Sequence, residues 1–382
     1  MKKLLLFLLV GTLFSSPCFA HPGFWESGSS EEVVTRLLDE MSDEEMLGQL
    51  LMFGFRGTTP SREIMDFISE HYIGGIKIFG WNVSTLPRLV KTVGEMQKKA
   101  EETPHQIPLL IATDQEGGWV RHVKEETSIT PGNLAIGATG LPYDAYMTGY
   151  YIGQELKALG INMNFAPTVD VYTNPAAHVI GPRAFSQDPV MTGQLAVAYY
   201  HGMKEAGVIC TAKHFPGHGN ADKDSHGALP IIKSSLDELW ENDLVPYRFL
   251  VKEGVPAIMS GHLAFPEITG DETPSSLSAF FQTELLRDRL GFEGLLITDD
   301  LRMHGVTQTG FGDVEIARRA VESGADIIML SGTFELQKQV CDRFLSLMKT
   351  DKEFHSRIRE AAKRVLTVKA DYLRGESSVP LY

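Results

Sequence analysis

Eight short apolar runs recur along the chain: LLMFGF (50–55), GGIKIFG (74–80), IPLLIATD (107–114), INMNFAPTVDV (161–171), GVICTAKH (207–214), AIMSGHL (257–263), GLLITDD (294–300) and ADIIMLS (325–331). Near-continuous apolarity of this length suits strands that are buried on both faces of a parallel sheet. A parallel sheet needs a crossover between successive strands, and amphipathic segments lie between the runs. Eight strand–helix alternations point to an α/β chain folded as a single (β/α)8 TIM-type barrel over residues 31–374. An open, doubly wound sheet is the rival that the pattern alone leaves standing.

The intervening segments carry helix signals. Residues 83–102 and 191–207 have helical spacing, and the second ends in Gly207, a natural C-cap. Residues 234–254 open with Ser235 and Glu238 at capping-box spacing. VEIARRAVESG (314–324) repeats the order helix, glycine, strand, and Phe334 to Tyr372 reads as helical throughout.

The ends of the chain read differently. Residues 1–20, MKKLLLFLLVGTLFSSPCFA, have Lys2 and Lys3 before an apolar stretch and Ala20 before a cleavage point. The stretch falls short of the roughly 20 apolar residues that span a bilayer, so it reads as a secretory signal peptide. Cys18 behind Pro17 is a poor context for lipid attachment. Residues 21–30 read as a linker and 375–382 as a loose tail. The expected location is exported, periplasmic or extracellular, with no membrane contact after signal cleavage. A net charge of -14 argues against nucleic acid and against anionic lipid surfaces. Cys210 and Cys341 are expected to be buried free thiols, and the protein is expected to be a monomer.

Chemistry in such a barrel sits where the strands end. Asp114, Asp170, Lys213 with His214, His262, and Asp299 with Asp300 all break or end apolar runs there. A charge at a buried strand end needs a partner or a task, and five strands sharing the habit favour a site. The densest cluster is KHFPGHGNADKDSHGALP (213–230). One reading is a metal held by His214, His218 and His226, but the spacing matches no zinc motif and no cysteine cluster supports it. On the bland reading His218 is a loop histidine bonded to backbone and the stretch is a solvated loop. A third is proton transfer: Asp224 and His226, one residue apart, share a side in an extended segment. Asp224 would raise the imidazole's proton affinity and make it an acid near neutral pH. Asp299 is then the candidate nucleophile across the barrel, with Lys213 helping to keep the carboxylates ionised.

These segments resemble glycoside hydrolase family 3, in particular its β-N-acetylglucosaminidase branch. KHFPGHGNADKDSHGALP resembles that branch's signature loop; DQEGGWVRH (114–122), GPRAFSQDP (181–189) and LGFEGLLITDDLRMHGV (290–306) resemble three further segments in the family's order. The resemblance implies that Asp299 is the nucleophile of a retaining hydrolase, His226 its acid/base and Asp224 the partner of His226. It implies sugar-binding roles for Asp114, His122, Arg183, Lys213 and His214, and a structural one for Asp300 as a cap for the next helix. One segment departs from the family's DQEGGRVQR: Trp119 takes the place of the first Arg, and His122 that of the last, with Arg121 beside it. Either His122 substitutes for that Arg or Arg121 reaches over, and Trp119 reads equally as a sugar platform or a packing aromatic. The expected substrate is an amino-sugar oligosaccharide, from cell-wall fragments or chitin, cleaved without cofactor or metal. The alternatives are a phosphorylase, since a histidine acid/base adds no negative charge beside an incoming phosphate, and a catalytically silent sugar-binding protein.

Overall fold

The computed structural model describes residues 23–124, 126–221, 225 and 227–374. The expected signal peptide, the tail from 375, and the two residues Asp224 and His226 lie outside the described residues.

The eight runs become eight parallel strands: β1 (Leu51–Gly54), β2 (Gly75–Ile78), β3 (Leu110–Thr113), β4 (Met163–Asn164), β5 (Ile209–Phe215), β6 (Ala257–Ser260), β7 (Leu295–Thr298) and β8 (Ile328–Leu330). From β1 to β7 each pairs with the next in sequence, and β8 pairs with β1, Leu51 lying opposite Ile328. The remaining seam, β7 to β8, is closed by the bridge Ile297 to Ile327, with Thr298 N donating to Ile327 O at 3.0 Å and Ile327 N to Leu296 O at 3.1 Å. Closure decides between the two sheet topologies: this is a (β/α)8 barrel. β4 keeps only two strand residues because Ala166, Pro167 and Thr168 carry the rest of its run away as irregular chain.

Helices wrap the outside, and their caps follow the sequence signals. Ser235 accepts from the backbone of Glu238, and the Glu238 carboxylate accepts from Ser235 N at 2.8 Å. Gly207 adopts a φ of 77°, a left-handed conformation that ends its helix. Two expected helices are each divided. The 234–254 segment is Leu236–Glu241 and Val245–Lys252, because Pro246 has no N–H to continue a helix and can only sit in a first turn. The 334–372 segment breaks at Asp351, which caps Lys352–Leu373 by accepting from Glu353 N and Phe354 N, each at 3.0 Å.

The seam between β7 and β8 has a further fastening. Asp326, fully buried ahead of β8, accepts from Leu296 N of β7 at 2.9 Å. Arg287, Arg357 and Arg364 surround it at 2.5, 2.8 and 3.1 Å, the last two reaching in from the final helix. Cys210 and Cys341 are both buried and free. Among the described residues no helix is long and apolar enough to cross a membrane.

Candidate active site

The strand ends gather the charged residues into one continuous chain. Asp170, after β4, accepts from His214 Nδ1 at 2.8 Å. The other imidazole nitrogen, Nε2, lies 3.3 Å from an Arg183 Nη2. A guanidinium only donates, so Nε2 is the acceptor and Nδ1 carries the hydrogen. Arg183 grips Glu116 with two bonds, Nε to Oε2 at 2.9 Å and Nη2 to Oε1 at 2.8 Å. Lys213 links Glu116 at 2.6 Å to Asp114 at 2.5 Å. Lys77, in β2, ends the chain on the other oxygen of Asp114.

Charge alternates along this line, and that is what lets it be buried. Burial raises the Glu116 carboxyl, but Arg183 and Lys213 outweigh it and hold its pKa at about 2. Burial likewise works against Asp114, and Lys213 and Lys77 hold it well below the usual carboxylate range. Lys213 stays protonated because Asp114 and Glu116 together outweigh its burial. Burial costs the Lys77 ammonium more than Asp114 returns, so its pKa falls even while the carboxylate beside it is strongly stabilised.

Across the barrel, Asp299 follows β7. Its backbone N–H donates to Ser260 O at 2.9 Å, and its Oδ1 accepts from Asp300 N at 2.8 Å. Burial raises its pKa, while His262 and His214 pull it below the ordinary value, so Asp299 is an ionised carboxylate. His262 is fully buried and fastens this turn: its Nε2 donates to Asp300 O at 3.0 Å and its Nδ1 accepts from Ser276 Oγ at 2.7 Å. Asp300 does not cap the next helix, His304–Thr307, whose N-cap is Met303. It accepts from Arg302 N and Ser331 N, at 3.0 and 3.2 Å, and so ties the turn to the end of β8.

The loop after β5 is anchored at both ends of its described part. Asp170 Oδ1 accepts from the backbone N–H of His218 at 2.7 Å. The ring of His218 faces Ser225 Oγ at 3.3 Å, a side chain where backbone was expected, and burial lowers its pKa to about 4. Ser225, the residue between Asp224 and His226, is buried and accepts through its carbonyl from Gly305 N at 2.8 Å. Asp243 lies beneath, its Oδ1 unpartnered among the described residues, and burial with nearby Asp170 raises its pKa to about 7.

A short hairpin, Gln115–Gly117 with Val120–Arg121, carries the departing segment. His122 is the residue beside Asp114, its Nδ1 3.8 Å from Oδ2, and it donates that hydrogen toward Ile78 O at 3.3 Å. Burial and Lys77 push its pKa down to about 4, so a neutral imidazole stands there. Arg121 turns away, donating to Ser128 O and Lys124 O at 3.2 and 3.4 Å. Trp119, at the hairpin tip, is 61% exposed and rests an edge near Gly181, which excludes a core role.

The structure thus brings Asp114, His122, Arg183, Lys213, His214 and Asp299 to one end of the barrel. It adds Lys77 and Glu116, which sequence reasoning passed over. Lys77 had a signal, a lysine inside the apolar run GGIKIFG, whereas Glu116 was hidden beside Asp114. Among the described residues no group of three or more His, Cys, Asp or Glu is placed to hold a metal.

Comparison with known proteins gives a consistent result. A family model described as "Glycosyl hydrolase family 3 N terminal domain" matches residues 42–368. Beta-hexosaminidase A of Pseudoalteromonas piscicida is 36% identical over 322 residues, covering 76% of this chain and 54% of that relative. The structure of a glycoside hydrolase family 3 β-N-acetylglucosaminidase from Paenibacillus sp. str. FPU-7 superposes with a TM-score of 0.85 at 37% identity, over 90% of this chain and 65% of that one. NagZ from Neisseria gonorrhoeae, solved with N-trifluoroacetyl-D-glucosamine, superposes with a TM-score of 0.70 at 29% identity, over 83% of this chain and 97% of that one. The chain therefore spans about half of one such relative and nearly all of another.

Proposed function

This chain belongs to glycosyl hydrolase family 3, and from that premise we propose that it is a retaining β-N-acetylglucosaminidase. It releases terminal, non-reducing N-acetylglucosamine from cell-wall fragments or chitin oligosaccharides, as an exported enzyme. Asp299 attacks the anomeric carbon, and the bond to the leaving oxygen breaks as His226 gives that oxygen its proton. Water then attacks the glycosyl-aspartate, His226 takes the proton, and the sugar leaves with its β configuration kept. Asp224 orients His226; both assignments rest on the sequence motif.

Asp114, Lys213, Arg183 and His214 hold the sugar ring, and their mutual bonds fix them before substrate arrives. Preorganised groups of this kind spend no energy on reorganisation at the transition state. The observation that carries the reading is the anchoring of Ser225: the residue between the proposed acid/base and its partner is hydrogen-bonded to Gly305, six positions beyond Asp299. The loop that bears the acid and the turn that bears the nucleophile are thereby tied together.

The test is covalent trapping with a slow, fluorinated N-acetylglucosaminyl donor followed by peptide mapping. A label on Asp299 is the expected result, and a label on any other residue overturns the assignment.

A further inference from the structure

We propose that Lys77 is a positioning residue for sugar binding: from beneath, it fixes the carboxylate of Asp114 in the one orientation that accepts sugar hydroxyls. This deepens, and rests on, the reading of Asp114 as a sugar-binding residue. Nothing in the motifs points to Lys77, which sits in the middle of β2, inside an apolar run.

A buried ion pair for stability alone is a weak explanation. Such pairs roughly break even against apolar residues of the same size, and the strand around Lys77 is otherwise apolar. Nor does Asp114 lack a cation, since Lys213 already contacts it. Lys213, however, is shared with Glu116. Without Lys77, Asp114 would be the loose end of the alternating chain, tied through Oδ1 alone.

With Lys77 in place each oxygen has its own ammonium, Oδ1 that of Lys213 and Oδ2 that of Lys77. Rotation about the last bond of the side chain would break both contacts. A carboxylate has about four lone-pair sites, so each oxygen keeps capacity for a sugar hydroxyl. The direction is right as well: the Lys77 side chain is 1% exposed and that of Asp114 19%, so the lysine lies below and the carboxylate faces the opening. The ammonium has little else to choose, with the rings of Phe165 and Phe79 at 4.5 and 5.3 Å. It is a support held in an aromatic sleeve, which places an acceptor where a pyranose needs it.

The charge has a second consequence. Asp114 is faced by Lys77 from β2, Lys213 from β5, His122 and Glu116 from the hairpin, Arg183 from the 181–189 segment and Asp299 from the turn after β7. Of these, Lys213 and Lys77 do most to oppose its protonation. Losing Lys77 leaves burial opposed by Lys213 and weaker neighbours, so Asp114 takes up a proton at higher pH.

The experiment is calorimetric titration of the full chain with N-acetylglucosamine at pH 7, for wild type, Lys77→Met, Asp114→Asn and the double variant. Lys77→Met is expected to weaken binding by about tenfold or more. In the Asp114→Asn background the same change is expected to cost less than about twofold, since Lys77 acts through Asp114. Lys77→Gln, which keeps a neutral donor, carries the same test should the methionine variant not fold. Equal losses in both backgrounds overturn the proposal while leaving the enzyme reading intact. Wild-type protein that binds no N-acetylglucosamine at all overturns both.

Discussion

Glu116 offers a stability test whose magnitude follows from the site's geometry. Its carboxylate is 2% exposed and receives Lys213 at 2.6 Å and Arg183 through two bonds. Its pKa is about 2 in the folded chain against an ordinary 4.5. At about 1.4 kcal/mol per pH unit, that difference stabilises the fold by about 3 kcal/mol at neutral pH. The sign follows from a depressed pKa: the stabilisation is complete above the unfolded value and is lost as pH falls through the folded one. Glu116→Gln keeps the shape and removes the charge. It should therefore lower stability by about 3 kcal/mol at pH 7, roughly 4 °C of melting temperature in a chain this long, but by only about 1 kcal/mol at pH 3. Thermal unfolding followed by circular dichroism at the two pH values reads both numbers. A gap that does not narrow between pH 7 and pH 3, or one below about 1 kcal/mol at pH 7, would refute the claim that Glu116 works as an ion held by two cations.

Two further predictions concern the loop after β5. At Gly305 an added Cβ would meet Ser225 O at 3.0 Å and His262 Cβ at 3.2 Å, so Gly305→Ala should push Ser225 outward. Hydrolysis of chitobiose, whose leaving group needs an acid, should fall by about tenfold, a part of the roughly 100- to 10,000-fold that acid catalysis contributes, while kcat/KM for a dinitrophenyl glycoside holds; equal losses on both would count against the tie. Asp243, with a folded pKa of about 7, is the reverse of Glu116: it costs stability as pH rises from the ordinary carboxylate range toward 7. Asp243→Asn should stabilise the protein by as much as about 4 kcal/mol at pH 8 and change little at pH 4, and denaturant melts at those pH values check it.

The ring of eight strands was legible because apolar runs of strand length, separated by helix-length amphipathic segments, leave few ways to be buried. Asp114, Lys213, His214 and Asp299 could be found because each ends such a run with a charge. Lys77 follows the opposite rule. It interrupts a run from within, and residue type alone cannot show that a carboxylate from the next strand meets it there. Glu116 shares that difficulty, since its importance lies in Arg183, 67 residues away. The breaks at 242–244 and Asp351 were missed because apolar periodicity continues across both, and only Pro246 and the capping geometry of Asp351 interrupt it. The choice between His122 and Arg121 was likewise open until the carbonyls of Lys124 and Ser128 gave Arg121 another occupation.

The cage around Asp326 bears on the cooperativity of the fold. Two of the three guanidiniums that neutralise Asp326 at the seam between β7 and β8 come from the last helix. Without that helix the carboxylate would keep Arg287 alone of the three, so the last seam of the barrel and the last helix form one cooperative unit.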